Sequence, residues 1–156
     1  MTGAPGSAPP QAAAAGQARA GPIRLCANAD ARSVRQVLGL VTHRVSGRLS
    51  HGAAEIAQMV IAEVLNNIVE HAYHGRGGPV VLRIRQHGGV LVVSIADRGA
   101  PLPDSLLGPQ GAPMARLAEG GFGWPIIHHF ARRMSYRRIG CWNRLRFCLP
   151  LEAAVS

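Results

Sequence analysis

Hydrophobic and polar positions alternate along this chain in two distinct periods, and the places where the period changes predict the elements. Ile23 to Ala27 is a short apolar run suited to an edge strand. Asp30 then stands where a helix cap is expected, ahead of Val34, Val37, Leu38, Val41 and Val45 at helical spacing. Ser50 is a second cap, opening a helix to about Tyr73 whose stripe of Ile56, Val60, Val64 and Ile68 repeats every four residues. Gly75, Gly77, Gly78 and Pro79 end it.

From Val80 the period falls to two. Val80, Leu82 and Ile84 alternate with Val81, Arg83 and Arg85, and Gly88-Gly89 after His87 turns the chain into the run Val90 to Ala96. A hairpin follows, because paired glycines supply the positive φ angles of a tight turn. Prolines and glycines preclude regular structure over much of the stretch from Ala100 to Glu119, and a long irregular segment inside a small domain predicts a lid. Gly123 to Ala131 reads as a short helix, with Met134 to Ile139 and Asn143 to Leu149 as final strands. Segregated helices and hairpins predict a two-layer α/β sandwich, not a doubly wound parallel sheet. Residues 22–152 form its domain, and Met1 to Gly21, almost all Ala, Gly, Pro, Ser and Gln, form a disordered tail.

Composition narrows the function classes. The net charge of +9 comes wholly from arginine, since the sequence has no lysine, and the arginines are scattered along the chain. That scatter reads as codon bias rather than a binding footprint, so neither nucleic acid nor membrane is expected as a partner. Three cysteines without a C-x-x-C spacing argue against a disulfide framework or zinc knuckle and fit a reduced, cytoplasmic interior. No apolar run is long enough to span a bilayer, and a soluble, non-exported protein is expected. The pairs His71 with His74 and His128 with His129 lack a cysteine at ligand spacing, and no serine sits in a nucleophile elbow.

Three segments carry candidate chemistry. Glu63, Asn67 and His71 lie four apart on one helical face, although asparagine is a poor mid-helix residue and Asn66-Asn67 is a pair of them. Such a face offers a carboxylate base beside an amide oxygen ligand, or simply a polar network. Asp97-Arg98-Gly99 ends the second strand of the hairpin, where a carboxylate can accept from an exocyclic amine and a glycine lets a flat ring approach, or where the chain merely turns. Glu119-Gly120-Gly121-Phe122-Gly123-Trp124-Pro125 opens a helix with bare N–H groups suited to phosphate, or is a flexible loop.

In this order the three segments resemble the N, G1 and G2 boxes of the GHKL (Bergerat-fold) ATPase and kinase superfamily. Glu63-x-x-x-Asn67, His71-Ala72-Tyr73 and Glu119-Gly120-Gly121-Phe122-Gly123 look most like the anti-sigma-factor serine/threonine kinases of bacterial partner switching. The resemblance covers about Ile23 to Leu151. It implies a mixed, mostly antiparallel sheet with helices on one face, and ATP with Mg²⁺ as cofactors. It also implies that Glu63 is the catalytic base and Asn67 the Mg²⁺ ligand. Asp97 and Gly99 would receive adenine, and Gly121, Phe122 and Gly123 the triphosphate. The implied partners are a sigma factor, a STAS-type anti-sigma-factor antagonist and a second copy of the chain. Two departures stand out: Trp124-Pro125 where small or aliphatic residues are usual, and Asn143-Arg144 where many relatives have Gly-Thr. They keep open a nucleotide-binding module that sequesters its partner without phosphotransfer.

Overall fold

The computed structural model describes residues 21–103, 106 and 123–151. The tail Met1 to Ala20, most of the predicted lid, and Gly121 and Phe122 lie outside the described residues. Strand β1 (Ile23–Asn28) leads to helices α1 (Ala31–Val45) and α2 (His51–Asn67), and α2 continues into a π-helical turn, Ile68–Ala72. The hairpin of β2 (Pro79–His87) and β3 (Val90–Asp97) follows, then α3 (Gly123–Phe130) and the hairpin of β4 (Arg132–Ile139) and β5 (Trp142–Pro150).

These strands form one sheet in the order β1-β2-β3-β5-β4, and every pairing is antiparallel. This is the two-layer α/β sandwich expected from the pattern. Val34, Val37, Val41 and Val45 of α1, and Ala57, Val60, Ile61, Val64 and Leu65 of α2, are buried. So are the alternate residues Val80, Leu82 and Ile84 of β2, Leu91, Val93 and Ile95 of β3, and Leu145, Phe147 and Leu149 of β5. Helical and strand periods therefore meet in one apolar layer.

Both predicted caps form. Asp30 accepts from the Ser33 amide (2.9 Å), the Ser33 hydroxyl (2.9 Å) and the Asn28 amide (2.8 Å), and the backbone bond from Ser33 leads the contacts that hold its carboxyl down at about 2. Ser50 Oγ accepts from Ala53 N at 3.2 Å. Gly88 and Gly89 take φ of 52° and 76°, as the tight hairpin turn requires. Two features differ from the pattern. The helix reaches its expected end, but its last turn widens, with Tyr73 N bonding Ile68 O at 3.0 Å. Strand β4 begins at Arg132, and its register with β5 shifts between Arg132 and Ser135, where Arg133 adopts φ of 51°. No glycine marks that bulge. Among the described residues no helix is long and apolar enough to cross a membrane.

Candidate functional site

The end of α2, the end of β3 and the start of α3 enclose an open cavity of about 470 Å³. Asp97, Asn67, His71, Trp124, Tyr136 and Asn143 all line it, together with Ala100 to Pro103 and Leu106. Its size and mostly apolar wall, broken by a few converging polar groups, suit a small-molecule ligand.

Asp97 is the last residue of β3 and is only 5% exposed. Its Oδ1 accepts from Gly99 N and from Asn143 Nδ2, both at 2.8 Å. Among the described residues no hydrogen bond reaches Oδ2, which leaves that oxygen for a donor arriving in the cavity. Burial pushes the carboxyl above its ordinary value, against the opposing pull of Asn143, Gly99 N–H and the Arg138 charge. Among the described residues no fully buried side-chain polar atom lacks a partner, so Oδ2 is open to the cavity and not sealed in the core.

Asn143 was legible only as a departure from a motif, yet it organises this wall. Antiparallel register places it directly across from Asp97. Besides Asp97, its amide donates to Gly99 O at 3.1 Å and Ala100 O at 3.0 Å. Its Oδ1 accepts from Tyr136 Oη and Arg138 Nη1, both at 2.7 Å. Arg138 also reaches Gly99 O at 3.2 Å, and Tyr136 Oη accepts from Leu102 N at 3.1 Å. The strand end and the first residues beyond it are thus clamped by one side chain and its two supporters. Neither Tyr136 nor Arg138 was singled out from sequence.

Gly99 serves the protein's own packing. A Cβ there would lie 2.5 Å from Ala72 O, the carbonyl that accepts from Ala100 N at 2.8 Å. The π-helical turn delivers that carbonyl, so the widened helix end and the glycine belong to one joint. Tyr73 completes it, donating to Pro79 O at 2.8 Å and accepting from Arg98 N at 2.7 Å.

The opposite wall is built from α2 and α3. Asn67 Nδ2 donates to Glu63 O at 2.7 Å, a local bond that turns the amide oxygen away from the helix backbone. Glu63 is half-buried and does not itself line the cavity. A Cβ on Gly123 would lie 2.5 Å from Glu63 Oε2 and 3.1 Å from Asn67 Nδ2, so the first residue of α3 packs directly on this pair. Glu63, Asn67 and Gly123 are therefore brought together, as are Asp97 and Gly99. His71 is exposed on the cavity rim with Nε2 3.8 Å from Glu70 Oε2. Trp124, one of the two departures, is only 3% exposed and forms cavity wall, with its ring 5.7 Å from that of His128. Among the described residues no cluster of three or more His, Cys, Asp or Glu side chains forms a metal cage. Asn67 as a single ligand suits a hard cation held largely by water and phosphate oxygens.

Comparisons with known proteins bear on this site. No curated protein matches the sequence. The fold is similar to a solved structure described as the RsbU and RsbW domains of Rv1364c from Mycobacterium tuberculosis, at 15% identity and a TM-score of 0.57. That match covers 88% of this chain and 35% of the other, so this chain spans about a third of that one's length. A family model described as a histidine kinase-like ATPase domain matches residues 14–149. With the model spanning most of the chain, the chain belongs to the histidine kinase-like (GHKL) ATPase family.

Proposed function

We propose that this protein is an anti-sigma factor and an ATP-dependent serine/threonine kinase, which sequesters a sigma factor and phosphorylates a STAS-type antagonist of its own activity. The observation that carries the reading is the free oxygen of Asp97 at one wall of a cavity whose other wall holds Asn67 and the start of α3. Family membership supports ATP as ligand, and likeness in fold to a structure containing an RsbW domain supports the partner-switching class.

In this reading Asp97 Oδ2 accepts from the exocyclic amine of adenine, a donor that guanine replaces with a carbonyl. Asn67 Oδ1 would hold Mg²⁺, and Gly121, Phe122 and Gly123 are the residues assigned to the triphosphate. When bound, Mg·ATP supplies the transferable phosphoryl group. Glu63, one turn before Asn67, accepts the proton of the incoming hydroxyl. The modified antagonist carries about two extra negative charges, which lower its affinity and release this protein to hold the sigma factor. A homodimer in the cytoplasm is part of the same proposal.

A second reading, nucleotide-dependent sequestration without transfer, draws on the packing of Gly123 against Glu63. There the carboxylate stands at the helix start that phosphate oxygens would use. Incubation with labelled ATP and candidate antagonists separates the two. Label on a serine or threonine of an antagonist supports the kinase, and ATP binding without label on any candidate supports sequestration.

A further inference from the structure

Seventeen arginines are scattered along the sequence, but strand pairing gathers six of them onto the sheet face that none of the described helices covers. Arg24 pairs with Arg83, with Arg85 two positions further along β2. Beyond β3, Arg146 and Arg144 stand on β5, and Arg137 pairs with Arg144. All six are exposed. Between these two ridges β3 presents Val90, Val92, Ser94 and Ala96, with no charged side chain among them. At one end Ile139 and Trp142 pair and remain 62% and 36% exposed, with the Arg98 guanidinium 5.5 Å from the Trp142 ring centre.

The expectation of diffuse charge is therefore corrected by topology. Codon bias explains arginine in place of lysine, but not a face to which the described strands contribute no carboxylate. The sole acidic residue on any described strand is Asp97, which is buried toward the helices. Among the described residues no arginine forms a salt bridge with Asp or Glu. Arg24 against Arg83 and Arg137 against Arg144 set like charges directly opposite each other, an arrangement that destabilises a sheet. Two such pairs on one bare face are costs without a structural return.

We propose that this open face is a docking surface for an acidic α-helix of a partner protein, laid along β3 between the arginine ridges and anchored on Ile139 and Trp142. The ridges on β2 and β5 are two strand spacings, about 10 Å, apart, which is the width of a helix with its side chains. A floor of small side chains lets the helix approach, and arginine forks meet carboxylates on both its edges. An exposed tryptophan among arginines is the composition of a protein–protein hot spot. Single-stranded nucleic acid fits less well, because Trp142 is the face's one aromatic among the described residues and Arg98 already covers it. A second copy presenting the same face would meet like charge. The inference is independent of nucleotide chemistry.

The test uses the full chain and a labelled helical peptide with glutamates along both edges and alanines between them, followed by anisotropy. Binding is expected, and Arg144→Glu with Arg146→Glu, or Arg24→Glu with Arg83→Glu, should weaken it about tenfold or more. Neutral Arg144→Gln with Arg146→Gln should fall between, and thermal melts should show every variant folded. Reversing Arg35 and Arg44, exposed on α1, changes net charge equally and should leave affinity within about twofold. Failure of the peptide to bind, or equal weakening by the α1 pair, overturns the proposal. So does equal or tighter binding of a DNA duplex, a single-stranded oligonucleotide or phosphatidylserine vesicles at the same salt.

Discussion

The two walls of the cavity are built to different degrees. On the Asp97 side, Asn143 alone makes five hydrogen bonds, and the carboxylate presents one oxygen with the other already satisfied. On the Glu63 side, one bond from Asn67 to its own helix backbone is present, and no hydrogen bond reaches the Glu63 carboxylate among the described residues. A preorganised wall contributes affinity without further ordering, whereas a sparse wall must be completed by what binds there. Recognition and transfer should then be separable by mutation.

The sharpest separation comes from Glu63→Gln, which keeps shape but cannot take a proton. In the kinase reading proposed above, phosphotransfer should fall by about 10²- to 10⁴-fold while ATP affinity in calorimetry stays near that of the wild type. Transfer at the wild-type rate would remove Glu63 as base. On the other wall, Asp97→Ala removes a charge-assisted hydrogen bond of about 1.5–3 kcal/mol, so ATP affinity should drop roughly ten- to a hundredfold. Unchanged affinity would show that adenine is read elsewhere. Asn143→Leu keeps bulk but no donor, and should destabilise the fold by about 1–3 kcal/mol in urea melts. Its loss of ATP affinity should be smaller than that of Asp97→Ala, and a larger loss would mean that Asn143 itself touches the ligand.

The smallest effect is a pH dependence of stability. Because burial raises the Asp97 carboxyl above its ordinary 3.8, the folded state holds this proton more tightly than the unfolded chain. That contribution is full below the unfolded value and is lost as pH rises through the raised folded value. Asp97→Asn should flatten this part of the curve, and identical pH profiles for variant and wild type would contradict it.

Most elements were legible because their signals are local. A cap such as Asp30 or Ser50 acts on the next turn, and Gly88-Gly89 sets its own hairpin. Asp97 was legible because a carboxylate ending an apolar strand is conspicuous in one dimension. Asn143 lies 46 positions away and becomes its neighbour only through the register of β3 with β5. The arginine face was hidden for the same reason, being assembled from four strands. The π-helical turn has no composition of its own, and its partner in the fold, Ala100 N bonded to Ala72 O, lies 28 positions away.

That register also orders events in time. The sheet is two parts, β1-β2-β3 and β4-β5, joined by the single seam between β3 and β5. Asp97 against Asn143 is the last rung of that seam, and the connection between the strands must close before it can form. Competence to bind ATP should therefore be acquired on refolding together with the seam and not with either hairpin. Stopped-flow refolding with a fluorescent ATP analogue, compared with amide protection of β3 and β5, would expose any earlier appearance.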